Sequence, residues 1–169
     1  MSNKEKYLEE EILIIEDTGG EMPEVALHGS IFFLCGDSEG PRLTLTEEEK
    51  LPLKKAVVNR YQTIILRDLQ PENRRKSIYR GLRRSAVNWK RMKFFAEREK
   101  LEIEHVRSKI ARALLAFLKE EVHSVQERGE LSCVNCNRDT LQEFAEEIGL
   151  STEELISGWQ DLCCNEHEH

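Results

Sequence analysis

The chain lacks any apolar run that could cross a bilayer. Ile12–Ile15 and Ile31–Cys35 are among its longest, against the roughly 20 residues that a spanning helix needs. Glycine and proline are sparse, with nine and four in 169 residues, which excludes a collagen-like or low-complexity chain. No P-loop, G-x-G-x-x-G, G-x-S-x-G or H-E-x-x-H occurs, so the common phosphate-cradling, dinucleotide, serine-hydrolase and zinc-protease signatures are missing. The opening Met1–Glu11 stretch has neither a basic n-region nor an apolar h-region, so no secretory signal is expected. Five cysteines without an export signal fit a reducing, cytoplasmic setting and read as thiols or ligands rather than a disulfide framework.

Charge of one sign is missing from two stretches. Residues 74–93 hold nine Lys and Arg and no acid, whereas residues 139–169 hold nine acids and no Lys or Arg. Residues 1–50 are also acidic, with 13 acids against four bases. The net charge of -7 therefore hides a basic segment between two acidic ones. Such asymmetry points to an anionic partner, or to pairing between segments of the same or another copy of the chain.

The first 46 residues read as short strands. Ile12–Ile15 is an apolar run, Gly19-Gly20 and Pro23 mark a turn, Val25–Cys35 is rich in strand formers, and Leu43–Leu45 alternates. A small antiparallel sheet of three strands would be marginal alone and is expected to pack on helices. The helical pattern begins at Thr46, which stands with Glu49 at capping-box spacing. Val57, Tyr61, Ile64, Ile65 and Leu69 share one face, and Gln70-Pro71 breaks the run. A second helix is expected over roughly 72–96, with Ile78, Leu82, Ala86, Trp89 and Met92 as its apolar stripe and Gly81 as a point of interruption. A third runs from about 97 to 128, continuous with the second or not, and Gly129 stops it. Asp139 is a candidate N-cap for a helix at about 140–148, and Ser151 with Glu154 opens a last one. The expected fold is α+β and mostly helical, with a small N-terminal sheet on a helical core (residues 1–129) and a C-terminal segment, 130–169, containing a linker, a helix pair and an acidic tail.

On a wheel of 100° per residue, Lys76, Arg80, Arg83, Arg84, Lys90 and Arg91 lie opposite the stripe begun by Ile78, and Phe94 falls on the same side. These six bases are the candidate anion-binding set, with Phe94 placed to stack on a base or meet an apolar surface. If all six met phosphates, nucleic-acid affinity would fall with salt at a log–log slope of about -5. The competing reading is that the basic face is solvated or matched by the chain's own acids.

Cys133-x2-Cys136 is followed by Cys163-Cys164 and His167. A C-x2-C knuckle supplies two tetrahedral zinc ligands, and the later residues are candidates for the others; free thiols are the alternative. A redox pair would need a helix N-terminus directly after it, where Arg138 and Asp139 roughly cancel. Glu102-x-x-His105 and Glu120-x-x-His123 carry the spacing found in carboxylate-bridged di-iron bundles. They stand five helical turns apart, about 27 Å on a straight helix, so one chain cannot join them unless the helix breaks, whereas an antiparallel homodimer could. They read as solvated pairs. Nothing selects a catalytic acid or base among so many carboxylates.

The segment Thr140–Trp159 is similar to a helix-turn-helix. Ala145 matches the small residue, Gly149 the turn glycine, and Phe144, Ile148, Leu150 and Leu155 the apolar positions. The resemblance implies two packed helices. It departs from DNA-reading members where contact is made: the second helix offers Glu153, Glu154 and Asp161, which would repel phosphates. The expectation is thus a non-enzymatic regulatory or adaptor protein that engages an anionic partner through its basic helix. The alternatives are a self-associating scaffold held by charge pairing, and a sensor or enzyme built on the Cys/His cluster.

Overall fold

A computed structural model describes residues 2–17, 31–33, 42–70, 74–128 and 138–151. Within them the chain forms five helices: α1 (Asn3–Glu16), α2 (Glu47–Asp68), α3 (Arg74–Glu99), α4 (Glu104–Arg128) and α5 (Arg138–Glu147). Two strands, β1 (Ile31–Phe33) and β2 (Arg42–Thr44), pair antiparallel with Phe32 opposite Leu43. No described helix is long and apolar enough to span a membrane.

The expected α+β architecture, with an N-terminal sheet as a layer on the helices, is overturned. The described fold is helical. Ile12–Ile15 is the last turn of α1, not a strand. The remaining ladder is three residues a side, too short to act as a sheet layer. The physical reason lies at Ser2. Its hydroxyl accepts from the Glu5 N–H at 3.2 Å while the Glu5 carboxylate accepts from the Ser2 N–H at 2.6 Å. This capping box satisfies orphan donors and launches a helix through the apolar run. Helical period then decides the outcome: Ile15 is buried, while Leu13 and Ile14 are exposed, a pattern that alternation along a strand would not give.

The chain divides into two compact units. The first holds Met1–Thr63 with Phe95–Leu101, the second Ile64–Phe94 with Glu102–His169. In the first unit, α2 starts with the expected capping box: Thr46 N–H donates to Glu49 at 3.2 Å and Glu49 N–H to the Thr46 hydroxyl at 3.3 Å. Lys4 reaches Glu49 at 2.7 Å and so ties the start of α1 to the start of α2. Arg60 Nη1 donates to the Glu16 carbonyl at 3.1 Å, satisfying one of the acceptors left open at the end of α1. Leu53, Ala56, Val57, Val58 and Tyr61 are buried along α2. Lys54 meets Glu99 at 2.9 Å, and both side chains are almost fully buried.

In the second unit the expected stripes are buried: Ile64, Ile65 and Leu69; Leu82, Ala86, Trp89 and Met92; and Val106, Ile110, Leu114, Phe117 and Leu118. Gly81 does not interrupt α3. A Cβ there would stand 3.1 Å from the Asp68 carbonyl oxygen, so the glycine admits the end of α2 against the α3 backbone. The helices α3 and α4 are separate. Leu101 N–H donates to the Ala96 carbonyl at 2.8 Å and Lys100 N–H to Glu97 at 3.3 Å, with Lys100 at φ 56°. This is a Schellman ending without the usual glycine. At the far end, α5 begins at Arg138, which places Asp139 in its first turn rather than at its cap. Gly149 (φ 78°) closes α5 in the same manner, with Leu150 N–H on the Ala145 carbonyl at 2.8 Å.

Candidate interaction face on helix α3

Helix α3 is amphipathic because its apolar residues recur at three- and four-residue spacing while every charge in 74–93 is basic. Burying Leu82, Trp89 and Met92 turns the opposite face outward. That face is centred on Arg83, Val87, Arg91 and Phe94, all exposed, and within about 80° of one another around the helix. Val87 keeps 49% and Phe94 66% of its surface. Large apolar groups set among bases on one helical line are suited to an acidic surface that also offers apolar side chains.

The two edges of this face are matched by acids of the same chain. On one edge Arg84 holds Asp68 at the end of α2, with Nε on Oδ2 at 2.6 Å and Nη2 on Oδ1. On the other, Lys90 pairs with Glu143 of α5, and the next turn places Lys93 on Glu147 at 2.9 Å. The Glu143 hydrogen bond raises the Lys90 pKa, whereas the Lys93 hydrogen bond, aided by the Lys90 charge, lowers that of Glu147. Arg107 of α4 donates from Nη1 to the Glu147 carbonyl at 3.1 Å and lies over Trp89, 5.6 Å from the ring. It thus places a cation at the negative end of α5. Beneath these contacts Leu141, Phe144, Ala145 and Ile148 are buried, so α5 is anchored by an apolar face and its charges finish the edge.

Of the six expected anion-binding residues, Arg84 and Lys90 are drawn into these internal pairs. Arg83 and Arg91 are exposed. Lys76 and Arg80 belong to α3, with side chains outside the described part. The expected metal set, Cys133, Cys136, Cys163, Cys164 and His167, lies outside the described residues, as does the second helix of the helix-turn-helix-like segment. Among the described residues no group of three His, Cys, Asp or Glu side chains converges. His105 and His123 are exposed, and Glu102 accepts the Glu104 N–H at 3.0 Å, which makes it a cap for α4. Sequence reading did not pair Asp68 with Arg84. The signal was present: Asp68 is one of only two acids in residues 51–73, the stretch that leads into the basic segment.

No curated protein and no solved structure matches the chain. A family model does, over residues 3–150, and the chain accordingly belongs to the family described as a repeat of unknown function, DUF7826.

Proposed function

We propose that the chain is a non-enzymatic, cytoplasmic interaction module that binds an acidic protein surface through the outward face of α3. The observation that carries this reading is the exposure of Val87 and Phe94 beside Arg91 on a helix whose flanking bases are already held by Asp68, Glu143 and Glu147. The internal pairs fix the edges of the face and leave a narrow basic and apolar centre. Nucleic acid fits this less well. With Arg84 and Lys90 engaged, at most four of the six candidate bases remain to neutralise phosphate, which reduces the salt slope to about -3.6. Membership of a family described as a repeat also favours an interaction role, because repeat units commonly act through surfaces that meet neighbours.

Fluorescence anisotropy tests the reading with two probes: an acidic peptide carrying leucine and phenylalanine, and a duplex DNA of similar charge. The peptide is expected to bind, and Phe94→Ala and Arg91→Glu each to weaken it about tenfold. Binding of DNA alone, with a salt slope steeper than -3.6, would assign the face to nucleic acid instead. Absence of binding to either probe at low salt would remove the reading.

A further inference from the structure

We propose that the acidic partner of the α3 face is helix α1 of a second copy of this chain, so that copies associate head to tail; this rests on the reading of α3 given above. In α1, Leu13 keeps 65%, Ile14 42% and Tyr7 41% of its surface. Glu9, Glu10 and Asp17 are exposed around these side chains, with Lys6 as the one exposed base among them. The buried side of the helix is already occupied by Ile15 and Glu11, so the exposed apolar groups are surplus to the packing of their own unit.

The two faces complement each other in both respects. One presents apolar groups among carboxylates, the other apolar groups among guanidinium and ammonium groups. Two α3 faces would repel, as would two α1 faces, so the like-with-like contact of a two-fold dimer is disfavoured. An α1-to-α3 contact joins different patches; made once between two copies, it leaves one of each open at the ends and repeats. Units of a family described as a repeat that meet in series need two unlike, matching surfaces of this kind.

Sedimentation equilibrium of the full chain at low and high salt, with Leu13→Ser and Phe94→Ser variants, tests the proposal. Both side chains are about two-thirds exposed, so neither change disturbs a core. The wild type is expected to form species that grow with concentration and weaken with salt. Each variant should associate about tenfold less tightly. An equimolar mixture of the two variants should recover a one-to-one pair that grows no further, since Leu13→Ser keeps a sound α3 face and Phe94→Ser a sound α1 face. A wild type that stays monomeric at low salt, variants that associate like the wild type, or a mixture that fails to pair would each overturn the proposal. A monomeric wild type that still binds the acidic peptide through Phe94 would overturn self-association alone and leave the α3 reading standing.

Discussion

The guanidinium of Arg84 clasps the carboxylate of Asp68 through two parallel hydrogen bonds, and the partners differ sharply in exposure: the Arg84 side chain keeps 58% of its surface, Asp68 only 4%. The pair therefore breaks asymmetrically. Removing Arg84 leaves a buried carboxylate with Arg67 as its remaining ion-pair partner among the described residues, 3.7 Å away. Removing Asp68 leaves a guanidinium that can turn to water, and it also takes an acid from the negative end of α2. Arg84→Ala should cost about 2–3 kcal/mol and Asp68→Ala about 1 kcal/mol. Urea unfolding of both variants measures the difference, and equal losses would mean that the buried charge is better solvated than its exposure implies.

Close behind this pair, Gly81 meets the Asp68 carbonyl. Its Cβ position is 3.1 Å from that backbone oxygen, and a backbone atom cannot swing aside as a side-chain tip can. An alanine gains helix propensity and loses clearance. A branched side chain gains little and must push the end of α2 away. Gly81→Val is expected to destabilise by about 2 kcal/mol through overpacking. A thermal midpoint equal to the wild type's would show that the two helices separate there at no cost.

Lys100 carries the opposite opportunity. It holds φ 56° to complete the Schellman ending of α3, a conformation that costs an L-residue about 1 kcal/mol and a glycine almost nothing. Its own side chain is exposed, so little packing is forfeited. Lys100→Gly should stabilise the protein by about 0.5–1 kcal/mol. An unchanged or lower urea midpoint would mean that the Lys100 side chain makes up the difference.

These two positions show what the sequence disclosed and what it concealed. The buried stripes on α2, α3 and α4 were legible because helical periodicity over many turns admits one face only. Boundaries were not. The α3–α4 break falls at a lysine, and nothing in local composition distinguishes Lys100 from a lysine in mid-helix. Gly81 looked like an interruption because its reason, the approach of the Asp68 carbonyl, comes from a residue 13 positions away. The N-terminal strand reading failed because it followed the β-branched isoleucines at 12, 14 and 15 and passed over the Ser2–Glu5 capping spacing ahead of them. Charge asymmetry singled out α3 as the candidate interaction element, but one-dimensional counts could not show that α5 would claim Lys90 and Lys93.

Acid should weaken the protein through the same pairs. Burial pushes the Glu99 carboxyl up, yet the hydrogen bonds and charges of Lys54 and Arg98 together more than offset this and hold it below the ordinary glutamate value. Lys93 does likewise for Glu147, and Lys4 for Glu49. Groups with depressed pKa bind fewer protons in the folded state than in the unfolded one. Their contribution is present above pH 4.5 and is lost as pH falls through their folded values. The melting temperature should therefore drop below about pH 4.5, and Glu99→Gln should make that drop shallower. An identical pH profile for wild type and variant would show that Glu99 is not among the groups responsible.

The last question is whether α5 is a cover that an acidic partner could displace or a fixed part of the fold. Its charged contacts alone would suggest a cover, since Lys90–Glu143 is half exposed on both sides and such solvent-screened pairs contribute little. Its apolar face argues otherwise. Phe144 keeps 1% and Ala145 none of its surface, and removing a buried phenylalanine ring costs about 3–5 kcal/mol. Displacing α5 would thus expose far more than two ion pairs could return. Glu143→Gln with Glu147→Gln should lower stability only slightly, leave helix content intact and strengthen binding of the acidic peptide through the released Lys90 and Lys93. Phe144→Ala should instead lower stability severely. If Phe144→Ala were nearly neutral in urea while raising peptide affinity, α5 would be a displaceable cover and the edge of the α3 face a regulated one.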